Sequence, residues 1–419
     1  MNFNGKVNLN DISFSLVKQR FNTSKIDDVR KEVFKEFDEL NAKLLIKPNM
    51  SIAVTVGSRG ISNISTITKA VCDYLKGEGA KPFIVPAMGS HGGATAEGQE
   101  SVLHHLGITE ESMGCPIKSS MEVLQIGMTE SKVPVYFDKN AYSADGVVVI
   151  NRIKPHTDFA ADIESGLTKM IAVGLGNQMG CSTMHSYGLS KSIPESARVS
   201  INKVNIMFGL GIIENSKDET YKLKALFAKD FEEKEKALLT EAKGTVPKLP
   251  TDILDVLVIE EMGKMISGTG MDTKVLGRIK IMGEKEPPKP IIKKVVVLRL
   301  ASNSYGNALG IGLADVTTKN LVDSIDMDAT YENIISTTFL ERGKIPLTMA
   351  NDEQALKVAV STVGNVNEKT IKMAIIKNTL DLQEVYLSNA ALRDIDGSKI
   401  EIIKKNINLS FDENRNLKL

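Results

Sequence analysis

Three of the five histidines in this chain of 419 residues sit where an imidazole can do chemistry. His91 lies in MGSHGG, His156 in KPHTDF and His185 in MHSYG. These stretches are rich in glycine, proline or serine, and functional residues are concentrated in such loops. Imidazole titrates near neutrality and suits proton transfer. Three separated imidazoles also allow a zinc site with a bound water. That option has no local signature, because the chain has no H-E-x-x-H, no histidine pair at ligand spacing and no serine nucleophile elbow. His104 and His105 are adjacent in the helical pattern GQESVLHHLGIT. Neighbours on a helix diverge by about 100° and cannot close on one ion, so one exposed and one half-buried residue are expected. Lys169 closes the stretch ESGLTK, and composition alone makes it an exposed helical lysine. Just beyond it, GLGNQMG (174–180) reads G-x-G-x-x-x-G. That is not the dinucleotide spacing, and a helix-like segment precedes it. Its backbone N–H groups still suit a phosphate.

These residues need elements to hold them. Short β-branched runs read as buried parallel strands: 51–56, 82–86, 146–150, 253–259 and 293–300. Helical patterns lie between them. The pattern over 24–40 opens on Ser24 as N-cap, with Ile26, Val29, Val33, Phe34 and Phe37 on one face. The pattern over 65–80 ends at Gly77 or Gly79. This alternation predicts an α/β protein of two domains, each a mainly parallel sheet flanked by helices. GTVPKLPTD (244–252) marks the boundary, giving domains at 1–245 and 250–400 and a tail at 401–419. Each strand is followed by polar residues: Arg59 after the first, His91 after the second, Arg152, Lys154 and His156 after the third, Glu260, Glu261 and Lys264 after the fourth. Open parallel sheets bind ligands outside these strand ends. A site in the cleft between the two domains is therefore expected.

Composition excludes several classes. Basic and acidic side chains balance at 52 each, without long blocks of one sign, so no nucleic-acid partner is expected. No apolar run approaches the roughly 20 residues of a membrane span, and the N-terminus lacks a signal-peptide pattern. Three distant cysteines, Cys72, Cys115 and Cys181, argue against a disulfide framework and for a cytoplasmic setting.

GSRG, GSHGGAT, KPHTDF, ESGLTKM, the MHSYG histidine and GKMISGTGMD, in this order, resemble the lactate racemase family. The resemblance covers most of the chain, from AVTVGSRGISN to GNALGIGLADVTT. Its members use a nickel-pincer nucleotide, a Ni(II) pyridinium-3,5-bisthiocarboxylic acid mononucleotide tethered to a lysine through a thioamide. The resemblance implies that Lys169 is the tether and that His185, sixteen residues on, is the nickel ligand. It makes His91 and His156 the acid–base pair, with Arg59 on the substrate carboxylate and Lys264 a further substrate contact. Gly89, Gly92 and Gly93 then let His91 project into a cofactor pocket. The implied reaction inverts a small 2-hydroxy acid by hydride transfer through a 2-keto acid. Residues 1–245 become the cofactor-binding and catalytic domain, in transient contact with cofactor maturation enzymes. Departures from the lactate enzymes bear on lactate as the substrate rather than on the reaction class. HGG stands where they have HRP, SGLTK replaces a glycine pair before the lysine, and Trp is absent. The alternatives are a metal-dependent hydrolase using the same histidines and a non-catalytic nickel- or cofactor-binding protein.

Overall fold

The computed structural model of the chain describes residues 7–58, 60–157 and 159–418. It divides into two compact units, Asn22–Val246 and a second made of the residues up to Phe21 together with Pro247 onward. The chain passes from one unit to the other between Val246 and Pro247. Residues 7–21 group with the second unit. The strand β1 (Ser13–Gln19) pairs with strands of the second unit.

The unit Asn22–Val246 is built on β2 (Ser51–Val56), β3 (Lys81–Pro86), β6 (Gly146–Arg152), β7 (Ile206–Glu214) and β8 (Thr220–Phe227), with a separate hairpin of β4 (Val123–Met128) and β5 (Pro134–Asp138). The sheet order is β3-β2-β6-β7-β8. All pairs are parallel except the last. Side chains alternate across the sheet. Ile52, Val54 and Val56 face a core with Phe37, Val71 and Leu75. Ala53, Val147 and Val149 face one with Leu167, Ile171 and Phe231. Both faces are covered, which is why β2 and β6 read as unbroken apolar runs. The first helix is Val29–Glu39, capped by Asp28, whose side chain accepts Lys31 N–H. Ser24 is not its cap. The residues before the helix are extended instead, with Ile26 N–H bonded to Thr220 O and Ser24 O accepting from Asn215. The helix Ile64–Gly77 ends with Gly79 at a φ of +85°, as its sequence predicts. His104 and His105 are both exposed.

The second unit holds β9 (Ile253–Met262), β10 (Ile291–Leu300), β11 (Val316–Thr318), β12 (Leu347–Met349), β13 (Met373–Ile376), β14 (Glu384–Ser388) and β15 (Ile400–Asn408). Its order is β12-β11-β10-β9-β13-β14-β1-β15. The pairs from β12 to β13 are parallel and the remainder antiparallel. The residues Ile400–Asn408 join this sheet beside β1. β15 is an edge strand, mostly exposed and carrying Lys404 and Lys405, a composition that keeps an edge from pairing with other chains. Among the described residues no helix is long and apolar enough to cross a membrane.

Candidate active site

The strand-end loops of the Asn22–Val246 unit meet one another through backbone contacts. His91 follows β3. Two residues before it, Gly89 has a φ of +60° and donates its N–H to Gly174 O at 3.1 Å. A Cβ on Gly89 would lie 3.3 Å from Cys181 Cβ. Gly92 has a φ of +66°, and a Cβ there would come within 2.7 Å of Gln99 N. Both glycines are needed for close approach, whereas nothing lies within 4 Å of the corresponding point on Gly93. Gln99, fully buried on the helix Ala96–His105, donates to Gly89 O at 3.0 Å and His91 O at 3.3 Å. The loop is thus fixed from below while the His91 side chain stays exposed. Its Nδ1 is hydrogen-bonded to Ser58 Oγ, from the loop after β2. Arg59, the next residue, lies outside the described residues.

His156 follows β6. The backbones of Lys154 and Ser165 bond in both directions, at 3.0 and 3.2 Å, and close the segment between them into a loop. His156 N–H donates to Glu164 Oε2 at 2.6 Å, and its ring stacks on Phe159 with centroids 4.6 Å apart. Glu164 is fully buried and also pairs with Lys243 at 2.7 Å. Arg152 is committed elsewhere. It pairs with Glu214, whose other oxygen accepts Ser62 N–H at 2.6 Å, so this ion pair ties β6 and β7 to the loop after β2.

Lys169 is half-buried at the end of a single helical turn, Leu167–Lys169. The chain continues through a π-helical stretch, Met170–Gly174, into the helix Asn177–Tyr187. π-turns inside helices are frequent at functional sites. Glu235, from the helix Phe231–Thr245, accepts Thr168 N–H at 3.0 Å and Thr168 Oγ–H at 3.2 Å. Burial lifts its carboxyl to about 7, with the hydrogen bonds from Thr168 and Leu167 acting the other way. His185 is exposed, one helical turn beyond Cys181. Burial raises the Cys181 thiol, but hydrogen bonds with His185 and Ser90 outweigh it and leave the thiol below its ordinary value. The Ser90 Oγ to Cys181 Sγ distance is 3.6 Å.

His91, His156, Lys169 and His185 therefore share one unit, with the His91 loop resting on the segment that carries the last two. Lys264 follows β9 in the second unit, its N–H bonded to Ser304 Oγ at 3.0 Å. An open cavity of about 870 Å³, bounded by Leu44, Met50, Asn205 and Lys229, borders the opposite strand ends, since Met50 precedes β2 and Ile206 begins β7. It shares no residue with the histidine loops. Sequence reasoning missed Ser58, Gln99, Glu164, Cys181 and Glu235. Only Glu235 leaves a positional trace, because Phe231, Glu235, Leu238, Leu239 and Ala242 share one buried stripe.

The molecule is an α/β protein whose His91, His156, Lys169, Cys181 and His185 all belong to one unit. Comparison with known proteins narrows the class. Residues 11–196 match the lactate racemase N-terminal domain, so this part of the chain is similar to that family. Seven solved chains match it. One is the lactate racemase apoprotein from Thermoanaerobacterium thermosaccharolyticum, at 15% identity and a TM-score of 0.50, covering 87% of this chain and 93% of that one. The likeness is one of fold. No curated protein matches the sequence.

Proposed function

We propose that the chain is a racemase or epimerase of a 2-hydroxy acid, working with a nickel-pincer nucleotide attached at Lys169. The observation that supports this most is the seating of the His91 loop: Gly89 bonds to Gly174 and Ser90 meets Cys181. A loop bearing an acid–base imidazole is thereby joined to the segment bearing an amine and a second imidazole. The donor set fits the cofactor. Lys169 offers a primary amine on a fixed turn. His185 offers an imidazole with a thiol one turn away, and such nitrogen and sulfur donors suit Ni(II). Among the described residues no three His, Cys, Asp or Glu side chains are grouped as a metal-binding set. Loaded with the nucleotide, the chain would hold nickel through the His185 imidazole.

The substrate C–H lies beside a carboxylate and is weakly acidic, so direct proton removal is difficult. Loss of hydride gives a planar 2-keto acid, and its return to the other face inverts the centre. When bound, the nucleotide supplies the acceptor for that hydride. His91, oriented by Ser58 at Nδ1, takes the hydroxyl proton of one enantiomer at Nε2. His156, held by its N–H on Glu164 and by its ring on Phe159, serves the other. Each gives the proton back when the alcohol re-forms. Arg59 holds the substrate carboxylate through paired hydrogen bonds. Gly93, where no atom would crowd a side chain, presents bare backbone to the nucleotide, while Gly89 and Gly92 shape the loop. The setting is cytoplasmic, where the three cysteines stay reduced. The maturation enzymes that load the nucleotide are transient partners.

Intact mass spectrometry after co-expression with the cofactor maturation enzymes tests the proposal. An adduct on the wild-type chain and none on Lys169→Arg is expected, since arginine keeps the charge but cannot form the linkage. A fully active wild-type protein of unmodified mass would overturn it.

A further inference from the structure

We infer that Glu235 is a positioning residue for Lys169: it clamps the turn Gly166–Thr168 and so fixes where the Lys169 side chain leaves the backbone. The inference rests on the reading of Lys169 as the tether. Glu235 is 1% exposed and lies 66 positions further along the chain than Lys169. One carboxyl oxygen accepts Thr168 N–H and Oγ–H, and the Leu167 N–H also bonds to the carboxyl. The first N–H groups of a helix have no partner within it. In a buried turn, cut off from water, an acceptor must come from another element, and here a second helix supplies it. The other oxygen, Oε1, is buried and accepts no hydrogen bond from the described residues. It occupies the place a side chain at position 166 would take, for a Cβ on Gly166 would lie 2.3 Å from it. On its far side Gly166 is held by Asn151, whose Nδ2 donates to Gly166 O at 2.7 Å.

The turn is therefore gripped between the end of β6 and the helix Phe231–Thr245, and Lys169 is the first residue beyond the grip. Packing alone does not account for a carboxyl at this position. Its neighbours on the stripe are Phe231, Leu238 and Leu239, and an apolar residue of similar size would fill the space without burying an ionisable group. What an apolar residue cannot do is accept the two N–H groups that set the direction of the turn. The mechanism proposed above leaves Glu235 unused, because it exchanges no proton with substrate.

The test compares Glu235→Gln, which keeps an acceptor oxygen, with Glu235→Leu, which keeps the volume only, and with Gly166→Ala, which pushes against Oε1. Each full-length variant is treated with N-hydroxysuccinimidyl acetate. Acetylation of Lys169 is then read by peptide mass spectrometry against the exposed Lys31. A misplacement of about 1 Å can change a reaction rate by about 10²-fold. Glu235→Leu and Gly166→Ala are accordingly expected to shift the relative acetylation rate of Lys169 by about tenfold or more, while Glu235→Gln matches wild type. Thermal unfolding separates positioning from stability: Glu235→Leu leaves the Thr168 and Leu167 N–H groups without an acceptor and should unfold cooperatively below the wild-type temperature, so acetylation is compared well below that transition. If Glu235→Leu does not fold, Gly166→Ala decides. Co-expression with the maturation enzymes provides the second readout: the adduct is lost in Glu235→Leu and kept in Glu235→Gln. Wild-type acetylation and a wild-type adduct level in folded Glu235→Leu would overturn the inference. A wild-type chain that takes no adduct, but whose Lys169 acetylation still depends on Glu235, would sink the tether reading and leave the positioning role standing.

Discussion

Glu235→Gln should change how stability depends on pH by an amount the structure sets. The carboxyl is lifted from 4.5 to about 7, with burial as the leading cause. Below 4.5 it is protonated in the folded and unfolded chains alike. Between 4.5 and about 7 the unfolded chain releases the proton and the folded chain keeps it, so stability falls as pH rises. Above about 7 both have released it and the loss is complete. At about 1.36 kcal/mol per pH unit, the gap amounts to about 3 kcal/mol. Gln carries no such linkage. Passing from about pH 5 to about pH 8, the variant should gain about 3 kcal/mol on wild type. For a unit of this size that is about 6–12 °C in relative Tm. The assay is differential scanning calorimetry of both proteins across that range, following the transition of the Asn22–Val246 unit. Other titrating groups contribute equally to both proteins and cancel in the difference. A Tm difference that stays constant across the range would refute the reasoning and show that the buried carboxyl is not held protonated.

The remaining predictions concern the proposed chemistry and the loop that carries it. Replacing His91 or His156 with Ala should lower racemisation in both directions by about 10²–10⁴-fold, measured by chiral chromatography, with the Lys169 adduct retained. His185→Ala should keep the adduct by intact mass but lose nickel by metal analysis; unchanged nickel would place the ligand elsewhere. Racemisation in deuterated water should leave Cα unlabelled by NMR, and extensive Cα deuteration would replace hydride transfer with direct proton abstraction. Gly92→Ala, which forces a side chain onto Gln99 N at a positive φ, should cost about 1–3 kcal/mol, read by thermal unfolding.

The parts of the fold that the sequence shows are those where one interaction sets the pattern. β2 is visible because both faces of its strand are buried, and its limits match the apolar run 51–56. β7 is equally buried along its whole length, yet Gly209 and Gly211 make it look like a turn. Both are packing glycines: a Cβ on the first would meet Phe231 at 2.7 Å, and one on the second Ile153 at 2.6 Å. Short-range pattern cannot distinguish a glycine that bends the chain from one that admits a neighbour. Membership in a sheet is less legible still. β1 and β15 pair with each other from opposite ends of the chain, and nothing in the local composition of either indicates the other.

The candidate site divides along the same line. Residues that would meet substrate or cofactor carry unusual chemistry in unusual surroundings, so His91, His156 and His185 stand out from the chain. Residues that hold them do ordinary work at long range. Ser58 bonds to His91 across 33 positions, and Gln99 reaches back to Gly89 across 10. Glu235 is the instructive case, because the stretch FEEKEKALLTEAK reads as a solvated, charged helix. One of its four glutamates sits on the buried stripe, and charge content alone does not single it out. Position on the stripe does. A carboxyl at a helical core position, with no charged partner among the causes acting on it, is stable only where other backbone brings it donors. The question to ask of such a residue is whose N–H groups it takes. Here they belong to Leu167 and Thr168, and Lys169 follows them.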